Sequence, residues 1–236
     1  MHDAARALGA LQLALVPAVK HDWQYGLVPA ANGLLTQTLR VKDEEVQGVL
    51  DFQNGLLKLG TTQWSLDEYS PLELLKNERV WLEGRGITQP LKTPPFTGSG
   101  SYDAKQAKAL GDAMWKLTGY AAQLKAKLKG GLTAPVLVYP HHFDLSLVWF
   151  PWDDERQLGF GFSPGDDMIH EPYLYVTAWP EPPDFTDGNL PNGAYWQQEG
   201  FSGAILPYAE LRQHHQPARL LHDFAEATMR RGKELF

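Results

Sequence analysis

The chain has 236 residues, 43% of them hydrophobic, with 21 basic against 28 acidic side chains and a formal charge of −7. Those figures predict one globular domain over residues 1–236 and exclude a disordered chain; the acidic balance argues against nucleic acid as the main partner. There is no cysteine, so disulfides, thiolate nucleophiles and sulfur-ligated zinc are excluded, and any chemistry falls to His, Asp, Glu, Ser, Tyr or a bound group.

The first element is a short amphipathic helix, with Leu8, Leu11 and Leu15 at helical spacing. It is not read as a signal peptide, because Asp3 offsets Arg6 and Gln12 interrupts the apolar run. No stretch approaches bilayer-spanning length, so a cytoplasmic location with no membrane partner is expected. A polar and aromatic link follows with His21 and Trp23, and then two Asn-Gly pairs, Asn32-Gly33 and Asn54-Gly55. Read as type I′ hairpin turns, they predict an antiparallel meander with strands near 24–30, 34–41, 46–53 and 56–59.

Ser70, Pro71 and Glu73 form a capping-box signature opening a helix that ends at Gly84. The Pro/Gly/Ser/Thr-rich stretch 88–101 reads as a loop. Over 103–129, Leu110, Met114, Leu117, Ala121, Leu124 and Leu128 make one face of a long amphipathic helix that Gly130 and Gly131 terminate. Strands are then expected at 136–150, 157–163 and 171–179, one or two more within 195–206, and a last helix over 217–233. The class is α+β: largely antiparallel sheets of about seven to nine strands, packed with one long amphipathic helix and three shorter ones.

Alternation along the strands sorts their residues into two faces. On 136–150, one set carries His142, Asp144 and Ser146 between apolar ends. On 157–163, Leu158, Phe160 and Phe162 face one way and Gly159 and Gly161 the other. On 171–179, Tyr173, Tyr175, Thr177 and Trp179 share the glycine side. A meander of these strands predicts a trough with a bare glycine floor, a polar wall of His142 and Asp144, and a wall of Tyr173, Tyr175 and Trp179. The same glycines equally fit close approach of the long helix through Gly119, Ala121 and Ala122.

His142 and Asp144 point one way if their strand is regular, as a shared metal site or a proton acceptor with its orienting group requires. Metal-ligand candidates are therefore His142, Asp144, Asp166 and His170; catalytic candidates are Asp144, Glu171 and His142. Asp167 and His21 are further donors, and no motif names a cofactor. Three readings stay open: a small-molecule-binding protein, a divalent-metal-dependent hydrolase, and a protein–protein interaction domain presenting its eight tryptophans.

The runs at 17–23, 140–145, 162–166, 171–175 and 179–185 together resemble an uncharacterised bacterial family known only as a domain of unknown function. His21, Trp23, Phe143, Asp144, Pro164, Gly165, Glu171, Pro172 and Tyr175 carry the likeness. It implies one architecture over nearly the whole chain, with Asp144 and Glu171 as the polar core of any site and His142 as a variable wall, and it brings no activity with it.

Overall fold

Helix α1, His2–Leu15, buries Ala4, Ala5, Ala7, Leu8, Ala10 and Leu11 together with Gln12, while the expected core position Leu15 is only half-buried. The computed structural model describes every residue except 97, 99–101 and 192, so part of the expected loop 88–101 lies outside the described residues. The chain divides into two compact units: residues 1–116 with 137–143, and residues 117–136 with 144–236.

In the first unit, Gln12 is what ties α1 to the link behind it. Its fully buried amide donates to the carbonyls of Gln24 (2.8 Å) and Gly26 (2.9 Å), and its oxygen accepts from the Gln37 N–H at 2.6 Å. The polar interruption of the apolar run is thus a satisfied core amide. A 3-10 segment, Lys20–Tyr25, carries His21 and Asp22 at positive φ.

Seven short strands follow: β1 (Val28–Ala30), β2 (Gly33–Leu35), β3 (Leu39–Val41), β4 (Glu44–Val46), β5 (Gly48–Asp51), β6 (Leu56–Leu59) and β7 (Thr62–Ser65). Five form an antiparallel sheet in the order β1-β2-β5-β6-β7, while β3 and β4 pair as a separate hairpin. The expected strand 34–41 is therefore broken at Thr36, whose hydroxyl accepts from the Gly48 N–H at 2.8 Å.

Neither Asn-Gly pair makes a two-residue type I′ turn. The first hairpin turns on Ala31 and Asn32, with Gly33 already paired to Ala30. The second has a four-residue loop, because the Asp51 carboxylate accepts from the Gln53 and Asn54 N–H groups and fixes an Asx turn, leaving Gly55 to take φ +64°.

Helix α2, Pro71–Glu83, opens with the expected capping box: Glu73 accepts from the Ser70 N–H at 2.8 Å, and the Ser70 hydroxyl accepts from the Glu73 N–H. It packs on α1. Helix α3, Ala104–Lys127, starts where Asp103 accepts from the N–H groups of Lys105 and Gln106. Its first half belongs to the first unit, and there Gly111 lies against the Phe52 ring.

The second unit holds the rest of α3 and β8 (Leu132–Thr133). Strand β9 (Leu137–Tyr139) returns to the first unit and bridges Leu27 through Val138. After it come β10 (Asp144–Phe150), β11 (Gln157–Ser163), β12 (Tyr173–Trp179), β13 (Tyr195–Gln197), β14 (Gly203–Pro207), α4 (Tyr208–Gln213) and α5 (Pro217–Leu235). The second unit's sheet runs β13-β14-β12-β11-β10-β8, antiparallel throughout.

One face of that sheet carries Leu145, Leu147, Leu158, Phe160, Phe162, Leu174 and Val176, each at most 1% exposed. Helix α5 covers it with Leu220, Leu221, Phe224, Ala225, Thr228, Met229 and Gly232, spaced three and four apart. Gly232 lets the helix seat against Leu158, and Tyr120 of α3 meets Phe160 with ring centroids 5.5 Å apart. The architecture is α+β, with fourteen short strands and five α-helices among the described residues, more and shorter pieces than expected. Among those residues no helix is long and apolar enough to cross a membrane.

Candidate functional site

The expected strand 136–150 is two strands separated by a turn. Pro140 has no N–H to continue the ladder, the N–H groups of His142 and Phe143 both return to the Tyr139 carbonyl (3.2 and 2.7 Å), and Phe143 takes φ +61°. Regular alternation begins only at Asp144, so the shared parity of His142 and Asp144 does not hold. His142 is an exposed turn residue of the first unit, as is His141. The turn is held within that unit by Arg6, which donates to the His141 carbonyl at 2.9 Å, and by the His2 ring stacked on Phe143 at 5.0 Å. His21 and Trp23, 5.8 Å apart between ring centroids, also belong to the first unit. The remaining candidates stand in the second.

There the register distributes side chains as alternation predicts. Ser146 pairs with Gly161 and Val148 with Gly159; Gly161 pairs with Tyr175, Gly159 with Thr177, and Ser163 with Tyr173. The bare floor does not survive intact. A Cβ on Gly161 would fall inside the Tyr175 ring, which therefore lies over that glycine. This is a cross-strand Gly–aromatic pair, in which the ring shields the backbone that glycine exposes. At Gly159 a Cβ would meet only the Thr177 hydroxyl, at 2.8 Å. Close helix packing is also overturned: an added Cβ at Gly119 meets nothing within 4 Å, and neighbouring Tyr120 packs on Phe160, on the opposite face of β11.

Two Ser–Tyr–Asp chains run along this face. The Tyr175 phenol donates to the Asp144 carboxylate, and the Ser146 side chain hydrogen-bonds the same phenol. The Tyr173 phenol donates to Asp166 at 2.5 Å and is bonded by Ser163. Burial first, and then the adjacent carboxylate, holds each phenol above the ordinary tyrosine range. Both tyrosines therefore stay protonated near neutral pH and act as fixed donors rather than acids or bases.

The metal-ligand candidates are spent elsewhere. Asp166 turns its carboxylate back onto its own loop, accepting from the Met168 and Ile169 N–H groups at 2.8 Å, and the His170 ring nitrogen meets the Asp166 carbonyl at 3.1 Å. Asp167 and Glu171 are exposed on the same loop. Among the described residues no three His, Asp or Glu side chains stand together as a metal site needs.

What the sequence reading lacked was the strand beside β12. It is β14, which pairs Ile205 with Tyr175, and β13 beyond it pairs Tyr195 with Ile205 and Gln197 with Gly203. Two rows thus cross the glycine face. The first is Tyr195, Ile205, Tyr175, Gly161 and Ser146. The second is Gln197, Gly203, Thr177, Gly159 and Val148, with glycine on either side of Thr177. Next along β12 on this face is Trp179, 65% exposed, and Tyr195 is 41% exposed. The result is a shallow furrow over Thr177 and Gly159, bordered by Tyr175 and Trp179; at its Gly203 end an added Cβ would meet the Thr177 methyl at 3.1 Å and the Phe201 ring at 3.4 Å, so that end is covered. Tyr175 and Trp179 are four residues apart on one strand, so their α-carbons are separated by roughly 13 Å.

No solved structure matches the chain. Its C-terminal part, residues 152–236, which carries Gly159, Gly161, Tyr173, Tyr175, Trp179, Tyr195 and Gly203, matches the model of a family of unknown function (DUF5996).

Proposed function

We propose that the protein binds a planar small molecule in the furrow over Thr177 and Gly159. The observation carrying this reading is an indole left 65% exposed beside a row whose central threonine has glycine on both flanks. Exposed aromatics bordering a low-relief strip offer stacking surface at little conformational cost, and the threonine hydroxyl offers one directional contact. Asp144 and Tyr175 serve by fixing the near wall: the phenol is tied to a carboxylate and cannot swing into the furrow. The ligand contacts are then Gly159, Thr177, Trp179 and Tyr195, with Gly203 under the Phe201 ring at the end of the strip and Gly161 and Tyr173 beneath or behind the wall. The metal-dependent hydrolase finds no ligand set among the described residues to favour it.

The test is a fragment screen of the full chain by backbone amide chemical shifts, using aromatic and sugar-like probes. Binding should move the signals of Gly159 and Thr177 together with the Trp179 indole. Thr177→Phe, which fills the strip from a half-exposed position, should abolish the response while leaving the rest of the spectrum in place. Retention of the response in that variant, or probes that move only residues elsewhere, would overturn the reading. Self-association that shifts the same signals without any probe would instead assign the aromatics to a protein partner.

A further inference from the structure

Helix α2 turns an apolar stripe of Leu74, Leu75, Trp81 and Leu82 inward, and Glu78 stands in the middle of it. The glutamate is 0% exposed. Neither of its carboxyl oxygens meets a hydrogen-bond donor among the described residues, and the neighbouring buried groups Trp81 Nε1 and Asn77 Nδ2 have no acceptor there. Three polar groups on adjacent turns of one helix are thus enclosed without partners, an arrangement native interiors rarely keep without a reason.

Among the described residues no charged group bonds the Glu78 carboxyl; the cation just beyond α2's own end, the Arg85 guanidinium, is spent on Trp81, stacking 3.8 Å from its ring centroid and donating to its carbonyl at 3.2 Å. Helix α1, on which α2 packs, is uncharged from Ala7 to Leu15; its titratable groups His2, Asp3 and Arg6 lie in the opening turns, where His2 meets the Pro140 carbonyl and Arg6 pairs with Asp3. The segment following α2 contributes the Leu91 carbonyl to Arg79, while its Lys92 is exposed. On α2 itself, Lys76, Arg79 and Glu83 face solvent. Burial alone accordingly pushes the Glu78 carboxyl up to about 8.

An ionised carboxylate in such a place, unpaired and out of water, is costly, whereas the neutral acid is tolerated. We propose that Glu78 makes the docking of α2 on α1 a proton-dependent latch, closed while the carboxylic acid is neutral and released under mildly alkaline conditions. Release hydrates the new carboxylate and, in the same movement, the Trp81 and Asn77 donors, so all three enclosed groups favour the open form once the proton has gone. It also uncovers the Ala and Leu stripe of α1. The latch stands on the first unit alone and is independent of the furrow.

Amide hydrogen exchange on the full chain tests it, with protection corrected for intrinsic rates between about pH 6 and about pH 9. Protection of α2 relative to α5 should fall by about tenfold or more in the wild type, and should stay level in Glu78→Gln and Glu78→Leu. A level wild type, or variants falling in parallel with it, would overturn the latch. Infrared spectroscopy of the unaltered protein gives a second reading that needs no variant. A protonated-carboxyl band should be present at the acid end of the range and lost at the alkaline end; absence of the band at the acid end would also overturn the proposal.

Discussion

The Tyr175 phenol crosses strand β11 to reach the Asp144 carboxylate, and it does so over Gly161, the one position on its path without a side chain. The three residues are one device: the glycine opens the path, the ring covers the glycine, and the hydrogen bond fixes the ring. Tyr175→Phe should therefore cost about 1–3 kcal/mol, the range for a hydrogen bond to a charged, partly buried acceptor. Because the partners touch, the double variant with Asp144→Asn should be non-additive by about 0.5 kcal/mol or more in urea unfolding. Strict additivity would mean that the two groups are held independently.

The two glycines of β11 should respond differently to alanine. At Gly161 a methyl group meets the Tyr175 ring and also the Leu145 backbone carbonyl at 2.6 Å, and backbone cannot step aside. At Gly159 it meets only the Thr177 hydroxyl at 2.8 Å, the end of a rotatable side chain. Gly161→Ala is expected to lower the unfolding midpoint by an amount corresponding to about 1–3 kcal/mol, and Gly159→Ala by less. Adding Thr177→Ala should relieve the second substitution, whereas adding Tyr175→Ala should relieve the first only in part. Equal effects at the two sites would contradict the asymmetry of the strip.

Much of this was legible beforehand, for reasons that can be traced to particular residues. Alternation along 157–163 and 173–179 is an intrinsic property of extended chain, so the partition of Phe160 from Gly161 and of Val176 from Tyr175 could be read without coordinates. The capping box at Ser70 is likewise local chemistry. The furrow was not legible, because β14 rather than β13 lies beside β12, and non-sequential pairing leaves no mark in a single sequence. Alternation carried through 136–150 misplaces His142 for a subtler reason: Pro140 starts a turn closed by Phe143 at positive φ, which resets the alternation. Glu78 stands out by its spacing alone. It falls four residues after Leu74 and three after Leu75, inside the stripe that buries the helix, where a charged residue contradicts the pattern around it.

Gln12 shows how much one buried amide can organise. Its two donated bonds and one accepted bond join α1 to the backbone at Gln24, Gly26 and Gln37. Gln12→Leu keeps the approximate volume and leaves those three backbone groups without their partner, so a loss of about 2–5 kcal/mol is expected, larger than that for truncating an exposed α1 residue such as Leu13. Circular dichroism during chemical unfolding would measure it. A loss within about 0.5 kcal/mol would mean that other groups satisfy the three backbone partners.

The pH dependence of stability carries a sign that separates Glu78 from the other acids. Asp51, held by Asn54 and Lys58, has its carboxyl lowered despite some burial, so its contribution is present at neutral pH and fades as pH falls. Glu78 is the reverse case. Its folded carboxyl sits at about 8, against an ordinary value of 4.5, so the folded form binds one more proton than the unfolded form throughout that interval. Stability from this group is complete below the ordinary value, declines as pH rises through the interval, and is gone once the folded carboxyl has ionised. Relative to the wild type, Glu78→Gln should gain about tenfold in folding equilibrium for each pH unit across the window, with no further gain above it. The raised phenols of Tyr173 and Tyr175 do not interfere, since they ionise only at more alkaline pH. Melting both proteins at a series of pH values gives the difference directly, and a Gln variant whose advantage is the same at every pH would show that Glu78 is already ionised in the folded protein.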